Sequence, residues 1–407
     1  MTDHCKFWVS RRNFLGLSTA LPIFLQQTGV AMAAGAAAGQ KEKYPNRILV
    51  VLEMSGGNDG LNTVVPYADD AYFKQRPKLA IKDPIKLNDR FGFHPALFGF
   101  ERLFKDGNLA VVHGCSYPNP DRSHFVSMAF WHTGVPHGTE TRGWLGRFAD
   151  AYKPEPVNQY VVNIGKQQSL AVRGNVQTPV VFSNPAEFVL NGSAEEKEVF
   201  AKMFRDSWAA SNPALRQVRA MSAGAARSSD FVRNACDEFR TRMEYGYGEI
   251  GRDLKKVAAL IQAGAPTRIY YVSMGSFDTH VTQGAQHTTL FNQLGDALQG
   301  FLLDLKRIGR ADDVAVMSFT EFGRRVNENA SGGTDHGVAS PMFIAGSRVK
   351  GGFYSQFPSL TDLDENGDLK MTTDFRSVYA TMVKEWMGFD QIKPVLYGDF
   401  PTLPVFG

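Results

Sequence analysis

The chain contains little cysteine, with three cysteines in 407 residues. Cys5 lies near the N-terminus, so only Cys115 and Cys236 remain for the rest of the chain. Two cysteines can form at most one disulfide, which excludes a small scaffold held together by several bridges. Because there is also no CxxC pair, the sequence does not predict a cysteine-ligated zinc site.

The chain also lacks a strong excess of either charge. Its formal net charge is +3, and residues 1–33 carry a net +2 of this. The remaining chain is therefore close to neutral. A near-neutral chain has no general electrostatic attraction to nucleic acid or to an acidic membrane. We therefore expect no nucleic-acid partner.

No uninterrupted apolar run of membrane length is present. The longest apolar stretch, residues 17–38, is broken by Pro22, two glutamines and Gly29. An apolar segment must run for about 20 residues to span a bilayer. The sequence therefore predicts no stable membrane anchor.

This apolar stretch is instead typical of an export signal. It follows the sequence SRRNFLG at residues 10–16 and contains Ala31-Met32-Ala33, an A-x-A cleavage site. Paired arginines, an apolar segment and a cleavage site in this order are typical of a twin-arginine signal. We predict a signal peptide over residues 1–33, a linker over 34–45 and a periplasmic or secreted protein. The twin-arginine translocase would be its partner during export.

Short apolar runs predict the strands of the mature chain. Most of them lack a polar–apolar alternation, which is typical of strands buried on both faces. Between the runs at 269–272 and 314–317, apolar residues recur with helical spacing over 290–308, and Gly309 ends that helix. A strand–helix–strand order favours an α/β fold with a mostly parallel central sheet and helices on both faces. The runs lie at residues 48–52, 109–112, 160–162, 180–182, 269–272, 314–317 and 341–345.

Residues 194–264 have a mostly helical pattern, in segments 195–208, 214–221 and 231–263. We predict that they form a helical insertion over the sheet, with ordinary helical packing as the alternative. The remaining pattern predicts a single α/β domain over residues 46–407, with this insertion included.

Acidic residues, histidines and one serine lie at the ends of five predicted strands. In open α/β sheets, ligands bind beyond the carboxyl ends of the strands, so loops at one edge can converge. Asp, Glu and His with a serine nearby form the ligand set of a metal-dependent hydrolase. The residues are Asp59, Ser123 with His124, Asp278 with His280, Glu321, and Asp335 with His336.

Each of these residues also has an ordinary structural explanation. Asp59 lies in a glycine-rich segment and is a typical turn residue. Ser123 lies where a helix is predicted to begin, and serine is a favoured N-cap. A serine at a helix N-terminus is also a candidate nucleophile, and Arg122 or Arg324 can bind a phosphate or sulfate group.

Residues 362–368 resemble the start of an EF-hand calcium loop. The twelfth position of such a loop would be Thr373, which cannot replace the bidentate glutamate. Asn366-Gly367 between Leu363 and Leu369 predicts a β-hairpin turn instead.

Six motifs together resemble the exported domain-of-unknown-function family 1501, over nearly the whole mature chain. They are SRRNFLG, SGGNDGLNTVVPY, DRSHF, GSFDTH, TEFGR and GGTDHG. That family is similar to the alkaline phosphatase and sulfatase superfamily. The superfamily uses a Ser, Thr or modified Cys nucleophile, usually over two metals. Its functional residues occur in a set order along the chain. An early Asp comes first, then the nucleophile, then an Asp and a His, then an Asp–His pair and finally a late His.

The resemblance implies an alkaline phosphatase-like fold with one or two divalent metal ions. Ser123 is the implied nucleophile, and Arg122 or Arg324 is implied to neutralise the transferred group. The implied metal ligands are Asp59, Asp278, His280, Glu321 and His336.

Two departures from the superfamily pattern concern these ligands. Glu321-Phe322 stands where the superfamily has an Asp–His pair, and Asp278 and His280 are closer together than is common. His124 and Asp335 are the alternative ligands. The residue pattern is also consistent with a site that binds one metal or none. The residues after Ser123 do not match the C/S-x-P-x-R context of sulfatases.

The sequence therefore predicts an exported metal-dependent hydrolase of a small-molecule or polymeric phosphate or sulfate ester. The competing prediction is a non-catalytic secreted binding or assembly protein with a degenerate hydrolase site, which Phe322 favours. A metal-free serine esterase is the third alternative, but the chain has no GxSxG elbow.

Overall fold

The computed structural model describes residues 43–189, 195 and 227–407. The predicted signal peptide, most of the predicted linker and the predicted helices at 195–208 and 214–221 lie outside these residues, apart from Glu195. Among the described residues, no helix is both long enough and apolar enough to cross a membrane.

A nine-stranded sheet forms the centre of the molecule, and it confirms the predicted mostly parallel α/β fold. Its hydrogen-bonded order is β11-β5-β10-β9-β1-β8-β6-β7, and β12 pairs with the end of β5. The strands are β1 (Ile48–Met54), β5 (Leu109–Ser116), β6 (Val161–Ile164), β7 (Val180–Phe182), β8 (Ile269–Met274), β9 (Val314–Phe319), β10 (Ser340–Ala345), β11 (Gly352–Tyr354) and β12 (Thr373–Asp374). The short strands β2 (Val64–Val65), β3 (Ile85–Lys86) and β4 (Gly92–Phe93) form a separate small sheet.

The direction of β10 decides where the loops meet. Strand β10 is antiparallel to both of its neighbours, β5 and β9, whereas all the other pairs in this sheet are parallel. The start of β10 therefore lies at the sheet edge where the parallel strands end. As a result, the loop before β10 reaches the same edge as the loops after β1, β5, β8 and β9.

Apolar residues on the two faces of the sheet form two separate cores. In β1, Val50 and Leu52 belong to one core, whereas Leu49 and Val51 belong to the other. Both faces are covered by helices, which explains why the strands do not alternate between polar and apolar residues.

Helices α3 (Phe98–Lys105), α6 (Glu249–Gln262) and α7 (Gln283–Arg307) contribute to the first core. Helices α4 (His124–Thr133), α5 (Trp144–Tyr152), α8 (Phe375–Thr381) and α9 (Lys393–Leu396) contribute to the second, together with a π-helical turn at Met382–Trp386. The short helices α1 (Gly60–Thr63) and α2 (Asp70–Gln75) follow β1.

The segment predicted as helical over 231–263 is interrupted. Residues 227–238 are helical, residues 239–246 are not, and α6 then begins at Glu249. In the interruption, the Thr241 and Tyr245 hydroxyls donate hydrogen bonds of 2.7 and 2.8 Å to the buried carboxylate of Asp304. These side-chain bonds take the place of a helical turn. Helix α6 contributes buried residues to the first core.

Two smaller expectations are also settled. Leu363 and Leu369 form an antiparallel bridge, which confirms the hairpin turn over the alternative of a calcium loop. Cys115 and Cys236 are both free thiols, so this pair forms no disulfide.

Candidate metal centre

Side chains from three of the converging loops come within ligand distance of one another at the sheet edge. One ligand atom from each of His124, Asp278 and His336 lies within 4.8 Å of the other two. The Asp278 Oδ1 is 3.1 Å from His336 Nε2, and its Oδ2 is 3.4 Å from His124 Nε2. The group draws on the loops after β5 and β8 and the loop before β10.

His280 is a fourth member of this cluster. Its Nε2 lies 3.0 Å from His336 Nε2 and 3.1 Å from Asp278 Oδ1. We call His124, Asp278, His280 and His336 the metal-type cluster.

Each imidazole of the cluster is held from behind through its Nδ1. The partner of His124 Nδ1 is Glu321 Oε1 at 2.9 Å, and that of His280 Nδ1 is Asp335 Oδ1 at 3.2 Å. The partner of His336 Nδ1 is the carbonyl oxygen of Arg122 at 2.9 Å. A carbonyl or carboxylate oxygen accepts a hydrogen bond, so we assign the proton to each Nδ1. The Nε2 atoms, which carry the lone pairs, are then left to face the centre.

This orientation is typical of metal sites, in which a ligating histidine donates its other N–H to a carboxylate or a carbonyl. The Nε2 of His124 is buried and has no hydrogen-bond partner among the described residues. Three imidazoles and one carboxylate form a donor set that suits a divalent transition metal such as zinc.

Glu321 lies behind His124. Its carboxylate is buried and accepts hydrogen bonds from the Gly56 amide at 2.9 Å and the Thr320 hydroxyl at 3.1 Å. The sequence suggested it as a metal ligand, whereas the structure places it as the acceptor that orients His124.

Phe322, at the position where the superfamily pattern has a histidine, packs on the rings of the cluster. Its ring centroid is 4.9 Å from that of His124 and 4.6 Å from that of His336. Gly57 has a φ of +78°, and a Cβ there would lie 2.3 Å from the Phe322 ring. The glycine-rich loop after β1 therefore approaches the cluster closely because it has no side chain at this point.

Burial and neighbouring groups shift the pKa values of Asp278, His124 and His336, and not all in the same direction. Burial alone would raise the pKa of Asp278, but the hydrogen bond and charge of Arg324 outweigh it and lower the pKa to about 2. The hydrogen bond to Glu321 raises the pKa of His124. Burial lowers the pKa of His336, which favours its neutral, metal-binding form.

Arg324 is buried, and its donors are occupied. Its Nη2 lies 2.7 Å from Asp278 Oδ1, and the same guanidinium donates to the carbonyl oxygens of Gly56, Gly57, Phe277 and Thr334. The sequence suggested that Arg324 neutralises the transferred group. In the structure it fastens three loops of the site together and holds Asp278.

Asp59 lies outside the metal-type cluster. It is fully buried, and its Oδ2 accepts hydrogen bonds from Arg76 at 2.5 Å and Gln283 at 2.6 Å. Burial alone would raise the pKa of Asp59, but the charge and hydrogen bond of Arg76 outweigh it and lower the pKa. Gln283 Oε1 accepts from the Thr279 and Thr334 hydroxyls, so Asp59 supports the two loops that carry the cluster.

Ser123 occupies the N-cap position of α4, but its side chain makes no capping hydrogen bond. The residue is exposed, and in sequence it lies between Arg122 and His124. The carbonyl oxygen of Arg122 accepts a hydrogen bond from His336, and the ring of His124 lies next to the Asp278 carboxylate. Ser123 is therefore next in sequence to residues that contact the cluster, and its hydroxyl is not used to cap the helix.

Sequence reasoning missed Arg76, Gln283 and Asn329. Arg76 and Gln283 bind Asp59, and Asn329 Nδ2 donates to Asp335 Oδ1 at 3.1 Å. None of the three lies beside a predicted strand end. No local pattern distinguishes them from surface polar residues, so the sequence carries no signal that would have found them.

A model of the family described as "Protein of unknown function (DUF1501)" matches residues 109–396. None of the curated proteins matches the chain.

Solved structures with similar chain folds include a protein in the alkaline phosphatase superfamily from Vibrio parahaemolyticus. It is 10% identical, with 96% of this chain and 78% of that chain covered and a TM-score of 0.38. The C-terminal periplasmic domain of EptC from Escherichia coli, in complex with zinc, is 10% identical, with 90% and 91% covered and a TM-score of 0.41. Alkaline phosphatase from the Antarctic bacterium TAB5 is 12% identical, with 77% and 95% covered and a TM-score of 0.34.

Proposed function

The chain belongs to the DUF1501 family, and we propose that it is an exported metal-dependent hydrolase of phosphate or sulfate esters. One observation carries this proposal. Three imidazole Nε2 atoms and the Asp278 carboxylate lie together, and the exposed Ser123 directly precedes His124 of this cluster in sequence.

We assign the metal to His124, Asp278, His280 and His336. Their outer partners, Glu321, Asp335 and the Arg122 carbonyl, hold the rings in the orientation that ligation needs. A divalent ion at such a site supplies Lewis-acid stabilisation of charge that develops on a phosphoryl or sulfuryl oxygen. Asp59 and Glu321, which the sequence suggested as ligands, support the ligand-bearing loops in this assignment.

Ser123 is the proposed nucleophile. It begins α4, a helix of 10 residues, and a helix N-terminus favours a developing negative charge. The Ser123 oxygen would form a bond to phosphorus or sulfur while the bond to the leaving oxygen breaks, and its proton would pass to solvent. Water would then cleave the seryl ester and restore the serine.

Arg122 is the residue best placed to neutralise the transferred group. Its side chain is 31% exposed, and the residue is adjacent in sequence to the proposed nucleophile. Arginine matches the geometry of phosphate and sulfate oxygens through its paired N–H donors. Arg324, in contrast, holds Asp278 and the loops of the site.

A panel of phosphate monoesters, phosphate diesters and sulfate esters, assayed with several divalent metals, tests this proposal. Ser123→Ala should lower turnover of the best substrate by about a thousandfold or more, as expected when a covalent nucleophile is removed. Ser347→Ala, which removes an exposed hydroxyl that bonds to Asp312, serves as the matched control and should retain full activity.

Two outcomes would overturn the catalytic part of the proposal. If wild-type protein hydrolyses no ester in the panel with any metal, the result favours the alternative of a non-catalytic binding or assembly protein. If Ser123→Ala retains full activity, Ser123 is not the nucleophile.

Export by the twin-arginine route is the second part of the proposal, and it is supported by residues 10–16. Replacing Arg11 and Arg12 with lysine preserves the charge but removes the arginine pair that the translocase requires. The double variant should remain in the cytoplasm, as measured by cell fractionation. Normal export of this variant would contradict the twin-arginine assignment.

A further inference from the structure

Three charged side chains form a group beside the metal-type cluster. Asp368 lies in the hairpin closed by Leu363 and Leu369, and its carboxylate is fully buried. Its Oδ2 is 3.2 Å from Arg122 Nη1, and its Oδ1 is 3.8 Å from Arg325 Nε. One buried carboxylate thus lies between two guanidinium groups. We call these three residues the arginine clamp.

The hydrogen-bonding capacity of the clamp is not saturated. Within the described ranges, neither oxygen of Asp368 accepts a hydrogen bond from a side chain or a backbone group, and Arg325 Nε donates none. Burial raises the pKa of Asp368, although the nearby arginines act in the opposite direction. Because one carboxylate balances only one of the two guanidinium charges, the clamp keeps a net positive charge when Asp368 is ionised.

Both arginine side chains are also partly open to solvent, although the Nε of Arg325 is buried. The side chains of Arg122 and Arg325 are 31% and 35% exposed, whereas Asp368 is completely enclosed. Asp368 therefore contacts the arginines from the enclosed side, while each arginine side chain keeps a partly exposed surface. The planar forks of guanidinium groups bind phosphate and sulfate oxygens through two parallel hydrogen bonds.

The backbone of the clamp is tied to the cluster. The Arg122 carbonyl oxygen accepts from His336 Nδ1 at 2.9 Å, and the Arg325 amide donates to the Asp335 carbonyl oxygen at 3.0 Å. Asp335 in turn contacts the ring of His280. The clamp and the cluster are therefore connected on both sides and are held at a fixed separation.

We propose that Arg325, positioned beside Arg122 by Asp368, forms a subsite for a second anionic group of the substrate, next to the transferred group that Arg122 contacts. This inference rests on the proposed hydrolase function and narrows its substrate class to esters that carry two neighbouring anionic groups. Arg325 then determines specificity without taking part in the chemistry at Ser123. A simple monoester would engage Arg122 alone, whereas pyrophosphate or a multiply sulfated or phosphorylated ester would engage both arginines.

Calorimetric titration with inorganic pyrophosphate and with inorganic phosphate tests the subsite. In Arg325→Gln, pyrophosphate should bind about tenfold or more weakly, as expected from losing a hydrogen bond to a charged group. Phosphate binding should change less than about twofold. Arg348→Gln is the matched control, because Arg348 is 45% exposed and also faces a single carboxylate, that of Asp312 at 3.3 Å. It should bind both anions as wild type does.

Arg325→Lys keeps the charge without the planar fork, and it guards against a folding defect in the glutamine variant. We expect its pyrophosphate affinity to lie between those of wild type and Arg325→Gln. Unchanged pyrophosphate affinity in both variants would overturn the subsite. So would an equal loss of phosphate and pyrophosphate affinity, since that would mark a general effect of charge. If the subsite responds as expected but no ester is hydrolysed, the subsite stands and the proposed hydrolase function fails.

Discussion

Asp59 and Asp278 are two carboxylates at equivalent places in the fold, and they differ in what surrounds them. Each follows a parallel strand of the central sheet, and each is paired with a buried arginine, Arg76 or Arg324. Asp59 is fully enclosed, whereas the Asp278 side chain is 45% exposed and faces three imidazoles.

The comparison shows that a position at a strand end does not by itself make a carboxylate a ligand. Asp59 makes its bonds to the surrounding fold, through Arg76, Gln283 and the Leu61 amide. Asp278 has imidazole nitrogens and solvent on its open side. We therefore assign Asp59 to the stability of the loops and Asp278 to ligand binding.

The largest expected contrast between the two carboxylates is in stability. Asp59→Asn should lower the free energy of unfolding by about 3–5 kcal/mol, because it leaves the buried charge of Arg76 without its partner. Asp278→Asn should cost less, since that carboxylate is nearly half exposed and the buried Arg324 keeps its hydrogen bonds to four backbone carbonyl oxygens. Urea denaturation of both variants beside wild type measures the difference. Equal losses would remove the distinction between the two sites.

A second prediction tests the role of the carboxylates that accept hydrogen bonds from the Nδ1 atoms of the cluster histidines. Asp335→Asn should weaken divalent metal binding by about 10–100-fold, because outer partners of histidine ligands typically have effects of this size. Asp312→Asn, which removes an exposed carboxylate paired with Arg348, is the matched control. Zinc affinity measured by competition with a chromophoric chelator reports the change. An Asp335 variant with wild-type affinity would show that His280 is not oriented by this carboxylate.

The smallest expected effect is in the pH dependence of stability. The pKa of Asp59 is lowered in the folded protein, so its stabilising contribution is present above the unfolded pKa of about 3.9. That contribution should be lost as the pH falls through the lower folded pKa. The stability difference between wild type and Asp59→Asn should thus be constant above about pH 5 and shrink below about pH 4. A difference that grows as the pH falls would contradict the assigned direction.

The sequence predicted the scaffold well, since its strands are continuous apolar runs. The run at 180–182 corresponds to β7, and the helical spacing over 290–308 overlaps α7 at Gln283–Arg307, with Ile308 as the C-cap. A hydrophobic pattern specifies burial, but it does not specify strand direction. The antiparallel direction of β10, which brings His336 to the site, therefore emerged only from the structure.

The sequence was less informative about which polar residues bind a ligand and which support them. Glu321 and His124 are both near strand ends, and spacing alone does not show that one orients the other. His124 was an alternative ligand in the sequence, and the structure places it in the cluster. The sequence did not predict the partner of Asp59 for a different reason. Arg76 reaches Asp59 by tertiary packing, and it also donates to the carbonyl oxygen of Val326, which is 250 residues away in sequence.

The central claim is that the metal-type cluster binds a divalent ion, and metal stoichiometry tests it most directly. Protein stripped with a chelator, reloaded with zinc or manganese and desalted would be analysed by inductively coupled plasma mass spectrometry. We expect about one tightly bound ion per chain in wild type and in the control His137→Asn, an exposed histidine outside the cluster. We expect loss of that ion in His336→Ala and in Asp278→Asn. A wild type that binds no ion, or variants that keep it, would contradict the account.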